Sequence, residues 1–224
     1  MCGLAGMNDK SEGFYLGHCL SPNSTFDISR KSKWVVDNYN KAFISSLCNE
    51  KKADDLTMWR LYGGDDGDGV CLIYELDMAN IEKSKEFILS PVMYGNRNNI
   101  VVQLFRLILN LPFVGGYQFV IADRDVWAYF VKPADFSIEE EYRLLYIGGG
   151  QNTTGKTKWI YNSGVGIVHP VVEFTLNDYP LKLKKIILGP KCRESGVNRV
   201  QLQSWLKSMK RAIEVVESDI KIYR

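Results

Sequence analysis

The stretch DFSIEEEYRLLYI, residues 135–147, sets Glu139, Glu140 and Glu141 side by side ahead of a run that alternates like a buried strand. Adjacent carboxylates repel and strands disfavour glutamate, so local propensity gives no reason for the cluster. At the mouth of a strand, alternation puts Glu139 and Glu141 on one side and Glu140 on the other, which is a paired-carboxylate arrangement. The plainer expectation is a surface ion pair between one of them and Arg143 or a nearby lysine. Ser45 and Ser46 lie on a strand-like run, where two small hydroxyls either line a cleft or fit a tightly packed sheet. Trp59 and Tyr62 are three apart on a short helix and share a face. They are core aromatics or, where that face meets a cleft, a stacking surface for a planar ligand.

Two further segments have the residue types of a binding site. GGDDGDGVCLIYE, residues 63–75, nearly fits a calcium loop, with Asp66, Asp68, Gly69 and Glu75 in register. Its first ligand position is Gly64, and a β-branched run follows in place of a helix, so an Asp/Gly turn leading into a strand is expected and calcium is not. The lysines of LKLKK, residues 181–185, read as a solvated start of a strand, without aromatic partners for RNA. Five cysteines, Cys2, Cys19, Cys48, Cys71 and Cys192, form no C-x-x-C pair, and the two histidines, His18 and His169, do not complete a ligand set. No metal is expected. Cys48 and Cys71, on apolar segments, are expected to pack as small core residues.

These residues need a scaffold, and the composition supplies one. The 224 residues are 46% hydrophobic and 24% charged, ordinary for a globular fold. The net charge of +2 makes no demand for nucleic acid or an acidic membrane. No apolar run approaches the ~18 residues of a transmembrane span, and the opening MCGLAGMNDK lacks the pattern of a signal peptide. A cytoplasmic chain that does not engage membranes is expected.

Strands are predicted at 42–49, 69–77, 86–94, 141–147, 157–162, 165–176, 184–190 and 215–224, with Pro91 confining the third to an edge or its own end. Helices are predicted at 29–39, 54–63, 101–109, 118–131 and 197–210, with a short element at 14–20 and a glycine-rich turn, GGGQNTTG, at 148–155. Val200, Trp205 and Leu206 are expected to face the core of the last helix. Residues 1–28 read as irregular. Without repeats or a linker-like stretch, the expectation is a single α+β domain over residues 1–224, with a central, mixed, mostly antiparallel sheet flanked by helices.

MNDKSEG (7–13), FISSLCNE (43–50), LTMWRLYGGDDGDGVCLIYEL (56–76), EEEYRLLYI (139–147) and LKKIILGP (183–190) together resemble a largely bacterial family known as domain of unknown function 2971. The family runs through an Asn-Asp-x-x-Glu segment, a Phe-Ser-x-Ser-type strand, a Met/Leu-Trp-x-x-Tyr helix, a Glu-x-Glu-Tyr-Arg strand and a late Ile-Ile-Leu-Gly strand, in that order. Its members usually begin further upstream with a Tyr-Lys-Tyr-Arg-like strand, so the start is expected to be shortened here.

The serine strand, aromatic helix and Glu-x-Glu strand are in turn similar to the Arg, Ser-Thr-Ser and Glu-x-Glu series of ADP-ribosyltransferases. That resemblance implies an ADP-ribosyltransferase-like fold, with NAD as co-substrate and an unidentified protein or nucleic-acid acceptor. Glu141 would steady the oxocarbenium-like state as the nicotinamide bond breaks, and Glu139 would position or deprotonate the acceptor. Ser45 or Ser46 would orient Glu141 and the ribose, Trp59 or Tyr62 would stack on a ring, and Arg143 or Arg60 would replace the missing dinucleotide-binding cation. Two other readings stand beside it: a non-catalytic interaction or sensing module of a bacterial stress or defence system, and an acidic metal-dependent nuclease using Asp54, Asp55, Asp65 or the glutamates.

Overall fold

The computed structural model describes residues 1–3, 13, 15–20, 41–64, 67–84, 86–96, 98–109, 111, 124–148, 155–163, 166–175 and 178–221. The helix expected at 29–39, most of the irregular segment at 1–28, the first part of the helix at 118–131, the turn at 149–154 and Asp65 and Asp66 lie outside them. The described strands are β1 (Cys2–Gly3), β2 (Ala42–Cys48), β3 (Val70–Leu76), β4 (Phe87–Pro91), β5 (Met93–Gly95), β6 (Val131–Pro133), β7 (Glu141–Ile147), β8 (Lys156–Asn162), β9 (Ile167–Glu173), β10 (Leu181–Leu188) and β11 (Glu214–Glu217). The fold is α+β. Its strands do not share one central sheet as expected: they form sheets of six, three and two strands. The chain separates into two compact units, residues 1–47 with 84–174, and residues 48–83 with 175–224.

The first unit holds the six-stranded sheet, in the order β4-β7-β2-β1-β9-β8, whose recorded pairings are antiparallel. Pro91 ends edge strand β4, where its missing N–H costs no ladder bond. Alternation along β2 and β7 divides the side chains between the faces. Ala42, Ile44 and Leu145 pack with Tyr129 and Phe130 on one face. On the other, Tyr146 meets Phe43, Phe87 and Phe174 at ring distances of 6.2, 5.2 and 4.8 Å.

A second core of Leu16, Cys19, Val102 and Val131 joins the helices Tyr15–Leu20 and Ile100–Leu109 to the parallel pair β5-β6. The helix expected to run to residue 131 is described as Arg124–Ala128. It stops because Tyr129 and Phe130 donate to Val126 and Trp127 in a turn, after which Val131 lies in register with Met93.

The second unit carries the order β11-β10-β3, with β10 parallel to β11 and antiparallel to β3. Between the parallel strands runs the helix Ser195–Ser208, the crossover that such a pair requires. Its Leu202 and Leu206 meet Ile186, Leu188 and Val215. Val200 and Trp205, expected in this core, are 52% and 58% exposed because the helix offers the sheet only a narrow face. The lysine run is accounted for by cross-strand ion pairs of Lys182 with Asp77 and Lys184 with Glu75, at 2.7 and 2.6 Å. Cys48, at the end of β2, is exposed and Cys71 is half-buried, so neither is the full core residue expected.

The Asp/Gly loop has a backbone role in this unit. Gly69 N–H donates to the Gly63 carbonyl, Gly189 N–H to that of Gly69, and Lys191 N–H to that of Gly67, at 2.7, 2.9 and 3.1 Å. A Cβ on Gly189 would stand 2.4 Å from the Gly67 oxygen. The glycines therefore permit a close approach of two chain segments.

Candidate functional site

The approach to β7 explains the glutamates differently from strand alternation. Glu139 ends a 3-10 turn, Ala134–Glu139, and is not in the strand. Glu140 follows in the left-handed region, at φ 45° and ψ 46°, its N–H bonded to the Ser137 carbonyl, and Glu141 opens β7. Glu139 and Glu141 end up together and buried, with Glu140 exposed. They meet on a cation that the motif reading missed: Lys132 Nζ, on β6, stands 2.8 Å from Glu139 Oε2 and 3.1 Å from Glu141 Oε2. The available signal was a lysine inside the apolar run YFVKP. The Lys132 ammonium also lies 4.9 Å from the Phe136 ring centroid, in cation–π range.

Arg143 shares the sheet face of Glu141 and is fully buried. Its Nε donates to Glu141 Oε1 at 2.8 Å, one Nη to Glu141 Oε2 at 3.1 Å, and the other Nη to the Tyr129 carbonyl. The expected ion pair thus exists, but in the interior. The backbone of Glu141 is held as well, its N–H by the Tyr94 hydroxyl at 2.8 Å and its carbonyl by Val92 N–H at 2.9 Å. Burial pushes the Tyr94 phenol up. For Glu141, burial works in the same direction, but it is outweighed by the hydrogen bonds and charge of Arg143, the Ser46 hydroxyl and Lys132. The carboxyl lies below its ordinary value.

Of the two serines, Ser46 reaches Glu141, and strand alternation sets Ser45 on the opposite face with Phe43. Trp59 and Tyr62 belong to the second unit. Trp59 is buried, its indole N–H on Asp54 Oδ1 at 2.8 Å, while Tyr62 is 56% exposed. Arg60 is exposed on the same helix. Asp54 also accepts from the Ser218 hydroxyl and Asp219 N–H, at 2.6 and 2.7 Å. Asp55 caps the helix Leu56–Tyr62 through Thr57 and Met58 N–H, at 2.8 and 3.0 Å. An open cavity of about 650 Å³ in the second unit is lined by Gln203, Lys207, Lys210, Arg211 and neighbouring residues, and none of the expected site residues is among them. No group of His, Cys, Asp and Glu fit to hold a metal occurs among the described residues.

The chemical capacity of Glu141 follows from counting. A carboxylate offers about four lone-pair sites. Here Arg143 takes one on each oxygen and Lys132 one on Oε2, so three of the four are held by buried cations.

No curated protein and no solved structure matches the chain. Residues 58–144 match the model of the family described as "Protein of unknown function (DUF2971)", so the chain is similar to that family over a stretch that includes Lys132, Glu139, Glu141 and Arg143.

Proposed function

We propose that the chain is a non-catalytic interaction module in which Lys132, Glu139, Glu141 and Arg143 hold the first unit in shape. The engagement of both Glu141 oxygens by the buried cations Arg143 and Lys132 carries this reading. A glutamate that steadies an oxocarbenium ion must present an ionised oxygen to the ribose hydroxyl. Both oxygens of Glu141 already accept from buried cations, and detaching Arg143 would leave an uncompensated charge in the interior.

The transferase reading, with NAD as co-substrate and a protein or nucleic-acid acceptor, has one observation in its favour: the Ser46 hydroxyl is on Glu141, the contact that reading needs. It also needs a ring-stacking aromatic: Trp59 is buried, which leaves the exposed Tyr62 for that role. Nicotinamide release from NAD by the full chain, with and without candidate acceptors, separates the two. The module reading expects no release and no NAD binding by calorimetry, and it expects Glu141→Gln to lower the melting temperature. Nicotinamide release that Glu141→Gln reduces about 10²-fold or more with the fold intact overturns it.

A further inference from the structure

The helix Ile100–Leu109 is apolar on two opposite sides. Its inward side packs Val102, with no exposure, against Leu16, Cys19 and Val131, and Phe105 lies 6.4 Å from the Trp127 ring. At 100° per residue, its outward side gathers Ile100, Val101, Leu104, Leu107 and Ile108, joined by Leu111, whose N–H bonds the Ile108 carbonyl. These six are 65%, 37%, 50%, 61%, 36% and 40% exposed. A helix that is hydrophobic all round belongs in an interior, and among the described residues nothing covers this side.

We propose that this outward side is the contact through which the chain pairs with a second copy of itself. Within the helix, Ile100, Leu104 and Leu107 are spaced by four and three, the alternation with which two helices mesh side chains into each other's gaps. Such a row is complementary to its own copy across a two-fold axis, as an isologous contact requires. The row contains no charge, so it has nothing with which to select a charged partner. A membrane is the wrong occupant: a surface-seeking helix sets a lysine- or arginine-rich side against its apolar one. Here the opposite side is packed into the protein, with Gln103 beside the row. The six side chains expose on the order of 500 Å², and pairing two copies covers about 1,000 Å², near the lower limit for a specific interface. The dimer is therefore expected to be reversible, and it stands whether or not the chain reacts with NAD.

Sedimentation equilibrium of the full chain, from about 1 to 200 µM, is the test. The expected result is a monomer–dimer equilibrium with dimer predominant at the top of the range. Leu104→Glu and Leu107→Glu, each at a half-exposed position, should weaken it at least about tenfold with unchanged circular dichroism and melting, because they place like charges in the seam. Ile100→Lys, at the most exposed position of the row, provides the same readout should either glutamate variant fold poorly. A monomer throughout the range, a dimer indifferent to all three substitutions, or a monomer that co-sediments with anionic phospholipid vesicles overturns the proposal.

Discussion

The Glu141 carboxylate is buried between two cations, Arg143 and Lys132. Its partners Arg143 and Lys132 come from the next position on the same face of its own strand and from a strand nine residues earlier. Motif spacing recovers the first and is blind to the second. Glu139 and Glu141 meet on Lys132 through a left-handed Glu140 and not through strand alternation. The energetic consequence is pH-dependent. A carboxyl whose folded pKa is depressed contributes stability that is fully present above its unfolded value, near 4.3, and lost as pH falls through the lower folded value. Urea unfolding of the wild type should therefore weaken steadily below about pH 5. Glu141→Gln should lose about 3–5 kcal/mol at pH 7, by leaving Arg143 and Lys132 short of a buried counter-charge, and should show a shallower acid dependence. A wild-type acid dependence no steeper than the variant's would remove Glu141 from the network's energetics.

Elements were readable wherever periodicity and capping agreed. β2, β3, β7 and the helix Leu56–Tyr62 fall within a residue or two of expectation, the last because Asp55 caps one end and Gly63 the other. Residues 129–131 depart from the expected helix, because their apolar spacing fits a helix while a parallel partner strand claims Val131. Glycine gives the sharpest test at this level, since its two uses predict opposite signs. Gly189→Ala places a methyl against the Gly67 and Gly69 oxygens, both backbone, and should cost about 1–3 kcal/mol. Gly196→Ala meets nothing within 4 Å inside the helix Ser195–Ser208 and should add up to about 1 kcal/mol. Thermal melts of the two variants beside wild type decide it; equal shifts would refute the close-approach role of the Asp/Gly loop.

The α+β class agrees with the sequence, whereas the grouping of the strands into sheets does not, for a physical reason. Hydrophobic alternation reports that a strand buries one face; it does not report which strands bury theirs together, since sheet membership depends on contacts distant in sequence. β2, β7 and β9 lie in one sheet and β3 and β10 in another, although all five read alike. Each unit consequently has its own core, Ile44 and Leu145 in the first, Ile186, Leu206 and Val215 in the second. Leu206→Ala removes a buried side chain from the second core alone and should cost about 2–5 kcal/mol. Regions that open separately show separate exchange free energies. Amide hydrogen exchange of this variant should accelerate in β10 and β11, whose residues enclose Leu206, while β4 and β7 keep wild-type rates. Equal acceleration in both sets would mean that the two cores open as one cooperative body.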